Sequence, residues 1–596
     1  MKKTTMAQTH SPHRPRAKAY LLLAALLLAL APAGGAMQRR NARPRPEARP
    51  AAPEQQKRAR PRLVLLIAVD QFRYDYLERF GDLFVAGGLR RLLRDGASWT
   101  NANYDHVPTE TAPGHATMMT GAWPAETGIV ANDWYERNDK GDGGRRVNNV
   151  EDPDAKLLGG GGEKERAATP RRLLASTLGD ELRLATNHRS KVIGVSLKDR
   201  SAILPAGRHA SAAYWYSADT GRMVSTDYYF ARMPAWAEAF NAARPAEKYL
   251  GRAWERLLPN EAEYLRRAGP DDPEWEWKPA KADRSSSLFP HTLPAAAGDT
   301  YFEQLQSTPF ASDLLVAFAK EAIASESLGA DDDTDVLTVS FSSNDFVGHR
   351  FGPYSQEVMD ITLRTDGQVA ELLDFVDRRV GLANTLVAFT ADHGVAPVPE
   401  HAAGLNLPGR RVSQSDVRAR VKEGLNERFR RAGDTRDRGD DYFLEYTAKN
   451  GNVYFNLEAL RRDGVPREEA ERAACDGALR VRGVARCFTR TQLERGAVSP
   501  ADPVARRALH GFNPRRSGDI VLVMEAFNLV VTYTADHFAP YSYDTHVPVI
   551  IMGAGVAPGR YANPATPADI APTLARLVGV QAPSNAVGRV LLEAIR

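Results

Sequence analysis

The amino-acid sequence predicts an α/β protein, a mostly parallel sheet covered by helices on both faces. Three observations carry that reading. Short uninterrupted apolar runs recur along the chain, the pattern of strands buried on both sides. Amphipathic segments with helix-start signals stand between several of them. Acidic residues and histidines follow the ends of the runs, where open α/β sheets bind their ligands. A composition of 43% hydrophobic and 26% charged residues over 596 positions excludes collagen-like, coiled-coil and wholly disordered chains.

In chain order, residues 1–36 form the first element. Lys2, Lys3, Arg14, Arg16 and Lys18 precede an apolar run from Ala19 to Ala31, followed by the small residues Ala33, Gly34, Gly35 and Ala36. This is the layout of a secretory signal peptide, and a run of about 13 residues falls short of the ~20 that span a bilayer. No later run is long enough for a span, so a periplasmic or secreted location is expected. Residues 37–62 contain no aromatic or β-branched residue and are rich in Pro, Arg and Ala, which predicts a disordered linker. Residues 1–62 hold 14 Lys/Arg against two glutamates, so the net charge of +4 divides into +12 there and −8 over the remaining 534 residues. The folded part has no basic field and no nucleic-acid-binding motif. Two cysteines, Cys475 and Cys487, exclude a Cys-rich metal module and leave open either one disulfide or two free thiols.

From Leu63 to the C-terminus the chain reads as one catalytic domain. The apolar runs are LVLLIAV (63–69), VIGVS (192–196), DVLTVSF (335–341), TLVAFT (385–390), IVLVM (520–524) and VPVIIM (547–552). Helices are predicted after Thr169-Pro170, where Thr caps and Pro takes the first turn, and over Gln356 to Val380. Two stretches interrupt the alternation, about 205–310 and 398–515, and are expected to be insertions capping the sheet. Gly159 to Gly162 lacks the Lys and Ser/Thr of a phosphate-binding loop and reads as an ordinary loop.

The chemistry collects at the strand ends. Asp70 follows the first run; Asp345 and His349 follow the run at 335–341; Asp392 and His393 follow that at 385–390; His546 precedes the run at 547–552. Alone, an Asp at a strand end is a helix cap or turn former. Together, Asp345 and His349 at i and i+4 point one way on a helical turn, and Asp392-His393 is an adjacent oxygen/nitrogen pair. Six oxygen and nitrogen donors without a thiolate suit zinc, manganese or iron, and suffice for two metals that each keep an open position. A metal pair about 4 Å apart can activate a nucleophile and stabilise a leaving oxygen. The nucleophile candidate is Thr111, ahead of a small-residue segment that would open a helix and favour anions at its N-terminus. Thr109 competes for that role, and His115 reads as structural.

TETAPGH at 109–115, the Asp70 strand end, the D-x3-H of Asp345 and His349, DHG at 392–394 and YDTHVP at 543–548 together resemble the alkaline phosphatase superfamily. The likeness is to its branch of type I phosphodiesterase/nucleotide pyrophosphatases and PafA-type periplasmic alkaline phosphatases, and it runs from Leu63 to the C-terminus. The resemblance implies a three-layer α/β/α sandwich with a mostly parallel central sheet and cap insertions. It implies two zinc ions, one held by Asp345, His349 and His546, the other by Asp70, Asp392, His393 and the Thr111 oxygen. It further implies attack by Thr111 to give a covalent phosphothreonine, small phosphorylated substrates and a monomer. Manganese or iron would suit the same donors.

The branch divides into monoester and diester hydrolases. A monoester dianion carries an extra charged oxygen that needs donors, whereas a diester carries a second organic group there. After the run at 192–196 the chain reads LKDR; if still extended, Lys198 and Arg200 project to one side, both cationic phosphate donors. PafA-type enzymes resemble this chain in such a K-x-R and in an Asn about twenty residues after the nucleophile, the place of Asn132. A phosphate monoester hydrolase is therefore expected. The alternatives are a phosphodiesterase/nucleotide pyrophosphatase and, from another class, a non-catalytic binding protein. A sulfatase is disfavoured because no C/S-x-P-x-R motif is present.

Overall fold

The structure is a computed structural model that describes residues 60–137, 144–162, 165–276, 287–430, 443–530 and 533–596. The expected signal peptide and nearly all of the expected linker lie outside the described residues. No helix among the described residues is long and apolar enough to cross a membrane.

A ten-stranded sheet organises the chain. Its strands are β1 Leu63–Val69, β2 Ala97–Trp99, β3 Leu157–Leu158, β4 Val192–Ser196 and β5 Ala212–Tyr216. They continue with β6 Met223–Thr226, β7 Asp335–Phe341, β8 Thr385–Thr390, β9 Val549–Gly553 and β10 Gly559–Tyr561. The spatial order is β10-β2-β9-β8-β1-β7-β4-β5-β6-β3. The five central strands, β8-β1-β7-β4-β5, are mutually parallel, while antiparallel pairings enter towards both edges.

The unbroken apolar run of β1 is explained by where its two faces go. Leu63, Leu65, Ile67 and Val69 enter one core, and Val64, Leu66 and Ala68 the other, as a strand of period two demands when helices cover both sides. The first core is closed by α4 Pro309–Ser325 and α6 Gln356–Arg379, the second by α1 Thr111–Thr120, α2 Leu178–Ala185 and α7 Ile570–Val578. The architecture is thus the expected α/β/α sandwich.

Two sequence readings are corrected. The run at 520–524 does not join the central sheet. It lies inside a four-stranded antiparallel sheet with 444–447, 452–455 and 484–489, above a core of its own that includes Val421, Leu425, Ala474 and Ile520. An apolar run reports burial but not which layer buries it, so this unit extends past 515. The stretch 205–310 likewise begins with two strands of the main sheet, β5 and β6. Cys475 and Cys487 form a disulfide between helix Arg467–Ala478 and strand Val484–Thr489.

Asp360 on α6 secures the first insertion. Buried completely, its carboxylate accepts from Trp254 Nε1 (2.7 Å), Leu257 N (2.6 Å), the Tyr264 hydroxyl and Arg364 Nε (2.6 Å). Removing one acceptor leaves several buried donors unsatisfied. Asp360→Ala is expected to lower the unfolding free energy by about 3 kcal/mol in urea titration, and an unchanged midpoint would remove this carboxylate as the anchor.

Candidate active site

Parallel register brings the site together. Val69 pairs with Phe341, Ala68 with Thr390 and Ser340 with Ser196, so β8, β1, β7 and β4 finish at the same edge. The residues just beyond them, Asp392, Asp70, Asp345 and Lys198, therefore meet although they are far apart in sequence. Asp70 and Asp392 are wholly buried and Asp345 is 3% exposed.

Among the described residues, three groups place metal-ligand atoms within 4.8 Å of one another: Asp70 with Asp392 and His393; Asp345 with His393 and His537; His349 with Asp536 and His537. Asp345 opens α5, Ser343–Phe351, and His349 lies one turn on, with Nε2 3.1 Å from Asp345 Oδ1 and Nδ1 2.8 Å from the Ala535 carbonyl. His393 Nε2 is 3.4 Å from Asp392 Oδ2 and 3.6 Å from Asp70 Oδ1, and its ring stacks on His537 at 3.7 Å. His537 Nδ1 faces the Thr109 carbonyl at 2.5 Å, leaving Nε2 towards Asp345 at 4.0 Å and Asp536 at 3.6 Å.

Among the described residues, three buried polar atoms, Asp70 Oδ1, Asp392 Oδ2 and His393 Nε2, have no hydrogen-bond partner. Orphaned carboxylate oxygens and an imidazole nitrogen at one point fit a divalent transition ion. Burial lowers the His393 pKa, and burial with the neighbouring His393 and His349 holds that of His537 well below its ordinary value. Both favour the neutral imidazole that ligates metals. Burial together with Asp345 and Asp392 raises Asp70 well above the carboxylate range, against the pull of Lys198. Burial opposes ionisation of Asp345 too, but His349 and Lys198 hold it well below that range.

Thr111 begins α1 and is almost fully buried. Its hydroxyl makes no hydrogen bond among the described residues, whereas Thr109 Oγ1 is committed to the Ala539 carbonyl and Asp544 Oδ2, both at 3.2 Å. Gly114 lets α1 lie flush on the Asp392 strand end, since a Cβ there would come within 2.2 Å of the Asp392 carbonyl oxygen. His115, read as structural, touches the site directly: Nδ1 lies 3.2 Å from Asp392 Oδ2 and Nε2 2.7 Å from Ser340 Oγ. Asn132 Oδ1 accepts from Ala112 N at 2.9 Å, beside Thr111.

Lys198 Nζ is 2.6 Å from both Asp70 Oδ2 and Asp345 Oδ2. The extended chain assumed for K-x-R ends at Lys198, which caps α3, Asp199–Ala206. Arg200 thus falls in the first turn of a helix, 3.6 Å from Asp199, and does not reach the carboxylates.

His546 is the clearest correction. Its Nε2 lies 3.0 Å from the Thr100 carbonyl and its ring stacks on Tyr74 at 4.2 Å. The backbone decides this: a bridge to Asn103 and the bond from Tyr74 N to the His546 carbonyl turn the side chain away. His537 and Asp536 stand in the cluster instead. A signal for them exists, because the TADH that ends β8 at 390–393 recurs at 534–537. Gln71 was also missed. Held at φ 64°, its N donates to Asp392 Oδ1 (3.1 Å) and its Nε2 to Asp345 Oδ1 (2.7 Å). Gly348 leaves it room, since a Cβ there would lie 1.8 Å from Gln71 Oε1.

An α/β/α sandwich gathers histidines and carboxylates at the carboxyl ends of its parallel strands into a candidate metal site. Residues 64–546 match the family model of type I phosphodiesterase / nucleotide pyrophosphatase, and the chain belongs to that family. It is 35% identical over 542 residues to alkaline phosphatase PhoV of Synechococcus elongatus, covering 90% of this chain and 94% of that one. It is 33% identical to alkaline phosphatase PafA of Elizabethkingia meningoseptica, covering 90% and 95%. The crystal structure of PafA superposes with a TM-score of 0.81 over 90% of this chain and 99% of that one, at 32% identity. The chain lies in the PafA-like branch.

Proposed function

We propose that this protein hydrolyses phosphate monoesters through a covalent phosphothreonine at Thr111, with Asp70, Asp392, His393, Asp345, His349 and His537 holding a pair of zinc ions. The observation that carries this reading is a threonine hydroxyl without a hydrogen bond among the described residues, at a helix N-terminus near buried carboxylates and imidazoles with orphaned ligand atoms. Similarity to alkaline phosphatases over nine-tenths of the chain supports phosphate monoesters as substrates. Bound metal would supply positive charge that lowers the hydroxyl pKa and screens the phosphate.

Thr111 Oγ forms the bond to phosphorus as the ester P–O bond opens, and its proton leaves while the departing alcohol oxygen gains one. Water then attacks the phosphothreonine, phosphate departs, and Oγ regains its proton. The N-terminus of α1 favours the developing negative charge. Lys198, at the meeting point of the carboxylates, and the Asn132 amide, beside Ala112, would donate to the nonbridging oxygens that distinguish a monoester. A solved PafA variant carries substitutions of a threonine and an asparagine 21 residues apart and of a lysine and an arginine two apart, the separations of Thr111 from Asn132 and of Lys198 from Arg200. The basic-apolar leader and the disulfide support a periplasmic or secreted setting.

Thr111→Ala is expected to reduce kcat on an aryl phosphate by at least ~10³-fold, with no acid-stable phosphoprotein after quenching; wild-type turnover in this variant would sink the mechanism. His537→Ala is expected to lose zinc by atomic absorption together with activity, whereas His546→Ala keeps both, and the reverse pattern would restore the ligand set read from sequence. Lys198→Ala is expected to cost roughly 10²-fold in monoester kcat/KM and Arg200→Ala less, each with a smaller effect on the matching diester. Equal losses on both esters would count against monoester selectivity residing here.

A further inference from the structure

Among the described residues, the second insertion supplies none of the clustered ligand side chains, yet one of its residues reaches the nucleophile loop. Asn450 sits in the turn between the strands 444–447 and 452–455, 9% exposed. Its Nδ2 donates to Glu110 Oε2 at 3.3 Å, and its Oδ1 accepts from Asn452 N and Nδ2 at 3.2 and 3.1 Å. Those bonds set which end of the amide faces Glu110. Asn452 in turn is anchored, pairing with Val521 in the insertion's own sheet.

Glu110 is the buried, extended residue immediately before α1, at φ −131° and ψ 159°. Besides Asn450, its Oε2 accepts from the backbone N of Asn132 at 3.1 Å. Asn132 lies in a bend before the short strand Asp133–Glu136, outside any regular ladder that would fix it. Its carbonyl accepts from Asn149 N and Nδ2 at 3.1 and 2.6 Å, and its Oδ1 accepts from Ala112 N at 2.9 Å. The Nδ2 group is the donor left over among the described residues, next to Thr111.

We infer that Asn450 and Glu110 are positioning residues: they hold Asn132 so that its Nδ2 faces a phosphate oxygen at Thr111, and through them the insertion sets turnover of monoesters. This rests on the proposed phosphate contact of Asn132. The arrangement is a chain of oriented amides and one carboxylate, each link fixing the next. Loss of the outermost link acts only by letting Asn132 swing. Such a small displacement of a donor in a preorganised site is expensive for the reaction while remaining cheap for the fold.

A double-mutant cycle on the full-length, zinc-loaded enzyme tests it, with an aryl phosphate monoester and its methyl diester as substrates. Asn450→Ala is expected to lower monoester kcat/KM by about tenfold, to lower the diester rate less, and to cause no further loss in an Asn132→Ala background, because both changes remove the same contact. Glu110→Gln, which keeps an oxygen acceptor, is expected to lose less than Glu110→Ala. Thermal melting accompanies each variant. A loss from Asn450→Ala that is equal in both backgrounds, or equal for both substrates in step with a lowered Tm, overturns the inference and leaves the proposed hydrolysis standing. Unchanged monoester turnover in Asn132→Ala overturns the role given to Asn132, and the inference with it.

Discussion

Three carboxylates that cannot reach water share one small volume, and much of the surrounding structure answers that fact. Asp70, Asp345 and Asp392 leave neighbouring parallel strands at one level, and like charges at low dielectric repel strongly. The chain answers with groups drawn from distant segments. Lys198 from β4 bridges Asp70 and Asp345, Gln71 donates to Asp392 and Asp345, and His115 from α1 meets Asp392. Among the described residues, the Asp70 Oδ1 towards which His393 turns has no hydrogen-bond partner. A cation bound among these groups would relieve the repulsion between the carboxylates.

The packing around this centre is close. Glycines are used where two backbones must nearly touch, as Gly114 on the Asp392 strand end shows. The insertions are tied down by buried polar hubs rather than by loose surface contact. Asp360 gathers donors from the first insertion onto α6. Asp519 gathers the Arg467 guanidinium and Phe455 N within the second and the Arg137 guanidinium from outside it. Asn450 extends that second unit to the nucleophile loop. Catalytic donors that must stay within fractions of an ångström of a transition state need supporting shells of this kind.

A single feature separates the two threonines before α1. Both are buried, but Thr109 spends its hydroxyl on Asp544 and the Ala539 carbonyl and lends its carbonyl to His537. Thr111, two positions on, has a hydroxyl that makes no hydrogen bond among the described residues. One residue thus ties the loop to Asp544 and His537 and the other does not, although either could cap a helix.

What the sequence by itself determined is the layer order and most of the cluster. Runs such as 63–69 are apolar throughout because both faces are covered, and the carboxylate or imidazole after each run follows from where a parallel sheet opens. Asp345 and His349 were legible because helical spacing is a local property. Only the tertiary structure decided what depends on direction and on distant partners. The run at 520–524 carries the same apolar signal as a central strand, but its neighbours place it in another sheet. Arg200 leaves the extended geometry assumed for K-x-R because the helix begins at Asp199, directly after Lys198. His546 and His537 lie nine positions apart with like credentials, and the choice falls to the main-chain bond from Tyr74 and the bonds of Val547 with Ala102 and of Tyr104 with Thr545 that flank the Asn103 bridge, which hold one ring away while the loop at 533–541 folds the other inward. Periodicity records which side of an element is buried; it carries no information about which remote backbone will be there to turn a side chain.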